Sequence, residues 1–183
     1  MVLWAGGGSR DLGGKGCGQS LHLDARGRPL PQRVRGQVAA EARDWPASTR
    51  WFAEAVRQAP SPPQAYAEWG EALLAAGDAD GAIAKLSLAH DKAPHFADPP
   101  ELWGEALMKQ GDYAGALGKF TEADKDAPRW GRNHLHWGEA LVKLGRADEA
   151  KAQWSAAAGM ELSVADRAEL ARAQGSGAKP APL

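Results

Sequence analysis

The sequence predicts an all-α protein, a right-handed solenoid of about four helix–turn–helix repeats followed by a capping helix. The first observation is a set of near-identical segments, WGEALLAAGD, WGEALMKQGD and WGEALVKLGR, that begin at Trp69, Trp103 and Trp137, 34 residues apart. A fixed period of this length is typical of stacked repeats rather than of a fold with one compact core. The second observation is that the same step links glycines and prolines at the ends of the helical patterns: Gly77, Gly111, Gly145, Pro60, Pro94 and Pro128.

The two ends of the chain differ in composition from the repeats. Residues 1–28 open with seven glycines in the first eighteen positions, which disfavours helix and strand, so we predict a disordered leader. Residues 8–16 resemble a phosphate-binding loop only loosely, because Ser9 and Gly16 stand where that pattern needs glycine and a hydroxyl residue. No signal peptide is recognisable at the N-terminus, which favours a cytoplasmic location. Residues 175–183 are predicted to form a disordered tail.

The central part of the chain divides into four units of 34 residues. Within the second unit, the residues from Tyr66 to Leu73 place apolar side chains at i, i+3, i+4 and i+7, the pattern of one helix face. Gly77 then ends this helix and Asp78 can cap the next one. A second apolar stripe follows and ends at Pro94. The predicted boundaries are 29–62, a degenerate repeat, and then 63–96, 97–130 and 131–164, which together form the array 29–164.

This arrangement resembles the tetratricopeptide repeat (TPR) family, whose pattern W-x2-L-G-x2-Y … A-x3-F … P matches several positions of each unit. Departures occur in the first unit, where Arg35 replaces tryptophan and Arg43 replaces glycine. The small residues let two helices approach closely, while the tryptophans fill the space around them and are expected to be buried, with Trp103→Ala among the most destabilising changes. The predicted structural core of the repeats comprises Trp69, Gly70, Ala82, Trp103, Gly104, Ala116, Trp137, Gly138 and Ala150.

A helix is predicted over residues 163–174, after the last repeat. Ser163 followed by Asp166 resembles a capping box, and a polar-faced terminal helix is what a solenoid needs to cover its last open layer.

The resemblance implies that the first helix of each unit lines a concave groove in which a protein or peptide partner binds. Glutamates recur at matching positions of three units, Glu71, Glu105 and Glu139, and they favour a basic partner. The apolar row beside them, Leu74, Met108 and Val142, favours an amphipathic partner. The same glutamates stand where asparagine would help to grip a C-terminal carboxylate, so we expect no chaperone-tail binding. The predicted groove residues are Glu68, Glu71, Leu74, Leu102, Glu105, Met108, Lys109, His136, Glu139, Val142 and Lys143.

Other functions remain as alternatives at this stage. The array could be a self-associating structural scaffold, or a homo-oligomeric or regulatory subunit beside a signalling or catalytic partner, and the glutamate row could be a by-product of repeat duplication. The net charge of −1 does not favour nucleic acid, no stretch is apolar enough for a membrane span, and the single Cys17 excludes a cysteine zinc site. His134 and His136 point to different faces of a helix, so we predict no metal site. No arrangement of nucleophile, base and acid stands out in the sequence, so we also predict no enzyme activity and no cofactor.

Overall fold

The computed structural model describes residues 30–57 and 62–176, and these residues form nine α-helices and no strand. The predicted disordered leader lies outside the described residues, as does the tail from residue 177 onward. The helices are α1 (Gln32–Glu41), α2 (Trp45–Arg57), α3 (Pro63–Ala76), α4 (Ala79–Lys92), α5 (Asp98–Gln110), α6 (Tyr113–Asp126), α7 (Gly131–Lys143), α8 (Ala147–Ala158) and α9 (Val164–Ser176).

Successive helices pack as four hairpins, α1 with α2, α3 with α4, α5 with α6 and α7 with α8. The first helices of neighbouring hairpins also contact one another, from α1 to α3, α3 to α5 and α5 to α7, so the hairpins stack into a solenoid. The predicted all-α repeat architecture is therefore confirmed. None of the helices in the described ranges is long and apolar enough to cross a lipid bilayer.

The repeated glycines inside the first helices lie where two helices of a hairpin touch. A Cβ atom on Gly70 would lie 2.6 Å from Cγ of Leu86, and one on Gly104 would lie 2.4 Å from the ring of Phe120. Since real Cβ atoms do not approach other atoms so closely, only glycine permits this contact distance. The strict 34-residue recurrence of glycine thus has a packing cause.

The turn between the two helices of a hairpin also needs a special backbone. Gly77, Gly111 and Gly145 adopt φ values of 89°, 82° and 75°, the left-handed region that favours glycine. In the first hairpin Arg43 takes the same place with φ 58°. The amide of Asp44 still donates to the carbonyl of Ala39 at 2.9 Å, so the degenerate repeat keeps the turn and places a residue with a side chain in it.

The substitution Arg43→Gly is expected to raise the free energy of unfolding by about 1 kcal/mol, because it removes the Cβ clash of the left-handed conformation. Urea denaturation followed by circular dichroism measures the change. Ala42→Gly is the matched control, since Ala42 has φ −76° and gains only chain entropy in the unfolded state, so it should destabilise. Equal effects of the two changes would contradict the interpretation.

The tryptophans of the repeats are less uniformly buried than the sequence predicts. Trp69 is 8% exposed, but Trp103 and Trp137 are only half-buried. A side chain of the same hairpin lies over each indole, and for Trp137 it is the ring of His134. The ammonium groups of Lys85 and Lys119 lie 4.1 and 3.8 Å from the ring centroids of Trp69 and Trp103.

The first hairpin carries the same cation–aromatic pair with its members exchanged. Arg35 occupies the repeat position of Trp69, and Trp51 occupies that of Lys85. The guanidinium carbon of Arg35 lies 4.7 Å from the centroid of the Trp51 ring. The departure at Arg35 that the sequence shows is therefore compensated sixteen residues later.

Helix α9 covers the open end of the array. The Oγ atom of Ser163 accepts a hydrogen bond from the amide of Asp166 at 3.1 Å, which caps the first turn. Leu170 is 4% exposed and packs in one apolar cluster with Leu135 and Leu162. The helix continues to Ser176, two residues beyond the predicted end, so residues 175 and 176 belong to it rather than to the tail.

Candidate functional site

The surface formed by the first helices contains a cavity of about 190 Å³ between α5, α7 and α9, which we call the C-terminal cavity. It brings together six of the predicted groove residues and adds two that the sequence did not indicate, Tyr113 and Glu169. Glu169 reaches it because α9 folds over the end of the array. The predicted residues that line it are Glu105, Met108, Lys109, His136, Glu139 and Lys143.

A second cavity of about 310 Å³ lies between α1, α2 and α3, and we call it the N-terminal cavity. Two predicted groove residues, Glu68 and Glu71, line it. The other lining residues come from the degenerate repeat or from α3, and the sequence analysis did not single them out: Gln37, Ala40, Glu41, Trp45, Phe52, Ala72 and Ala75.

The structure does not bring the remaining three predicted groove residues into either cavity. Leu102 is 6% exposed and lies in an apolar cluster with Leu86 and Ala106, so it is a core residue and cannot contact a partner. Leu74 packs against the same cluster. Val142 is 42% exposed but lines neither cavity.

Negative charge is concentrated at one wall of the C-terminal cavity. Burial raises the pKa of Glu139, the charge of His136 opposes this, and Glu169 and Glu105 raise it further. A hydrogen bond between Glu139 and Glu169 also raises the pKa of Glu139, because two carboxyl groups in contact share one proton more easily than they both ionise. A cation placed between these carboxylates would remove the repulsion.

A network of ion pairs between α5 and α7 forms the base of this wall. Glu101, which is fully buried, accepts a hydrogen bond from Nδ1 of His136 at 2.8 Å. The same nitrogen lies 3.2 Å from a carboxylate oxygen of Glu105. Arg132 donates to Glu105 at 2.5 Å and places its Nε atom 3.4 Å from Glu101. Two carboxylates and two cations thus balance one another between the third and fourth hairpins.

The pKa values in the network follow from burial and from these contacts. Burial by itself lowers the pKa of His136, but hydrogen bonds to Glu101 and Glu105 outweigh it and raise the value to about 10. Burial by itself raises the pKa of Glu105, but His136 and Arg132 outweigh it and lower the value to about 2. Burial raises the pKa of Glu101 to about 7 against the hydrogen bond from His136. His136 is therefore an imidazolium at neutral pH.

Glu101, Glu105 and His136 also have ligand atoms within 4.8 Å of one another, a grouping that can hold a metal ion. Here Arg132 already contacts both carboxylates. Because a metal ligand must be deprotonated, the raised pKa of His136 opposes binding as well. We interpret the cluster as an ion-pair network. His134 points elsewhere, as predicted, and its Nδ1 atom lies 2.7 Å from Gln153 on α8.

The pairing of Glu101 with His136 has a counterpart between the first and second hairpins. There Arg33 donates a hydrogen bond to Glu68. Arg33 occupies the repeat position of Glu101, and Glu68 occupies that of His136, so the positive and negative members of the pair are exchanged. At the middle interface the same positions hold Ala67 and Leu102, which are 4% and 6% exposed. Sequence reasoning missed this alternation because it compared equivalent positions 34 residues apart, whereas the contacting residues are 35 apart.

Comparison with solved structures shows the same fold in several TPR proteins. TTC0263, a thermophilic TPR protein of Thermus thermophilus, is 23% identical with a TM-score of 0.70, and the match covers 81% of each chain. YrrB, described as a TPR protein with an unusual peptide-binding site, is 16% identical with a TM-score of 0.64 over 76% of this chain and 71% of YrrB.

The first TPR domain of Spaghetti (RPAP3), bound to the HSP90 peptide SRMEEVD, is 19% identical with a TM-score of 0.57 over 64% of this chain and 96% of that domain. No protein-family profile and no curated protein sequence matches the chain. The chain therefore has the TPR fold, in agreement with the sequence pattern.

Proposed function

We propose that this protein is a non-enzymatic interaction module that binds a basic or amphipathic segment of another protein along its first helices. The observation that carries the proposal is the C-terminal cavity, where Glu139 and Glu169 lie together beside Met108, while Glu105 is already paired with Arg132 and His136. A lysine or arginine side chain would relieve the repulsion between the carboxylates, and the thioether would pack against an apolar neighbour in the partner.

Two features of the cavity support a peptide rather than a large rigid partner. Its volume of about 190 Å³ suits one long side chain, and Lys109 and Lys143 on its lining can contact backbone carbonyls of a bound segment. Both YrrB and the RPAP3 domain are described as binding peptides, and their likeness to this chain extends to the fold. The acidic character of SRMEEVD makes that peptide a poor match for Glu139 and Glu169.

Fluorescence anisotropy with labelled peptides tests the proposal. A short peptide with arginine next to leucine should bind, and Glu139→Gln should weaken it roughly tenfold, because one charge-assisted contact is lost. The matched control Asp148→Asn removes one charge from a side chain that is 96% exposed and should leave the affinity unchanged.

The peptide SRMEEVD serves as a second control and should bind far more weakly than the arginine–leucine peptide. Equal affinity of Glu139→Gln and wild type for the basic peptide, or tighter binding of SRMEEVD, would overturn the proposal.

A further inference from the structure

The N-terminal and C-terminal cavities are built from the same repeat positions, 68 residues apart. Trp45 in the first corresponds to Tyr113 in the second, and Glu71 corresponds to Glu139. The second and fourth hairpins have Ala79 and Ala147 at the aromatic position. A cavity with an aromatic wall and a facing glutamate therefore recurs in alternate hairpins.

The N-terminal cavity has the larger excess of negative charge. Its three carboxylates belong to Glu41, Glu68 and Glu71. Glu68 is paired with Arg33, whereas Glu41 and Glu71 form no ion pair with any residue that the structure describes. Burial raises the pKa of Glu68, Arg33 opposes this, and the charge of Glu71 raises it again. No lysine lines this cavity, in contrast to the C-terminal one.

We infer that the N-terminal cavity binds an arginine side chain, and that this arginine belongs to the same segment that enters the C-terminal cavity. The inference rests on the proposed function. A guanidinium group stacks on an aromatic face and pairs with carboxylates through its planar fork, so Trp45 beside Glu41 and Glu71 matches both of its recognition modes. A lysine ammonium can also lie over an indole, as Lys85 does over Trp69, but it lacks the planar fork that pairs with two carboxylates.

The spacing of the two cavities fixes the spacing of the two anchors in the partner. Neighbouring first helices pack roughly 10 Å apart, so positions two hairpins apart are separated by roughly 20 Å. An extended chain advances about 3.3 Å per residue, and the two anchoring side chains therefore lie about six residues apart. A segment with closer basic residues reaches only one cavity at a time.

Peptides with one arginine, or with two arginines about six or about three residues apart, test this arrangement by fluorescence anisotropy. The widely spaced pair should bind about tenfold more tightly than the single arginine, and the close pair should not show this gain beyond statistical doubling. Glu71→Gln and Trp45→Leu should each abolish the gain and leave single-arginine binding intact. Asp148→Asn is the matched charge control for Glu71→Gln, and Trp45→Phe, which keeps an aromatic ring, should retain part of the gain.

The outcomes separate this inference from the proposed function. If the single arginine binds and depends on Glu139, but the second arginine adds nothing at any spacing, only the N-terminal site is wrong. If no arginine peptide binds, both are wrong. Titration with N-acetylarginine amide provides a direct check, since the indole N–H resonance of Trp45 should shift more than with N-acetyllysine amide. An unchanged Trp45 resonance overturns the inference.

Discussion

Replacing Phe120 by alanine is expected to lower the free energy of unfolding by about 3–5 kcal/mol. Phe120 is fully buried, and its ring fills the space against Gly104 and packs in a cluster with Ala116 and Ala140. These three neighbours are glycine or alanine and cannot fill the vacated volume themselves, so any filling has to come from the larger side chains around the cluster, such as Leu107 and Leu117. Urea denaturation followed by circular dichroism measures the loss.

Two other substitutions calibrate the Phe120→Ala result. Leu88→Ala removes an apolar side chain that is 39% exposed, and it should change stability by less than about 1 kcal/mol. Trp103→Ala should fall between the two, because Trp103 is only partly buried and Lys119 lies over its ring. If Trp103→Ala proved more damaging than Phe120→Ala, the sequence-based expectation would be right and the structural ranking wrong.

The second large effect is expected for His136→Ala, which should cost about 3–5 kcal/mol at neutral pH. Removing the imidazolium leaves Glu101 buried with only the more distant Arg132 to compensate it. The cost arises because Glu101, whether ionised or protonated, stays buried without its hydrogen-bond partner, and not from lost packing alone. His95→Ala is the matched control, because the side chain of His95 is 92% exposed.

The pH dependence of the unfolding free energy provides an independent test of the contact between His136 and Glu101. The pKa of His136 is raised from 6.5 to about 10 in the folded state. Its stabilising contribution is therefore complete below about pH 6.5 and is lost as the pH rises through about 10. The difference in unfolding free energy between wild type and His136→Gln should shrink as the pH rises from 6 to about 10. A difference that stays constant over this range would contradict the ion-pair interpretation.

Glu105 responds at the opposite end of the pH range. Its pKa is lowered from 4.5 to about 2, so its contribution is present above about pH 4.5 and is lost as the pH falls through about 2.

Much of the fold could be predicted because periodicity reports it directly. Glycines such as Gly70 and Gly104 recur every 34 residues, and each lies at a close contact between two helices, so the repeat in the sequence corresponds to a repeat in the packing. Burial of individual side chains could not be predicted so well. Leu102 occupies the repeat position of Glu68, yet its neighbour at the interface is Ala67 rather than a charged residue, so it lies in the core.

The candidate site depended on contacts between different units, which the sequence shows only indirectly. Glu169 belongs to α9 and has no equivalent in the repeats, so no periodic signal could place it beside Glu139. The role of His136 was hidden for a related reason. Its partner Glu101 becomes visible only when charges are compared at a spacing of 35 residues, one more than the repeat length.

An ion pair joins the first hairpin to the second and the third to the fourth, whereas apolar residues meet between the second and the third. The array therefore consists of two blocks of two hairpins each, and a block can be duplicated as a unit. A second copy of residues 29–96 placed after the first would bring Ala67 against Val34, an apolar contact like the existing one with Leu102. A second copy of residues 63–130 would instead bring Glu101 against Glu68, two carboxylates without a cation. The length of this solenoid can therefore grow in steps of two hairpins, and only if the new joint falls between the blocks.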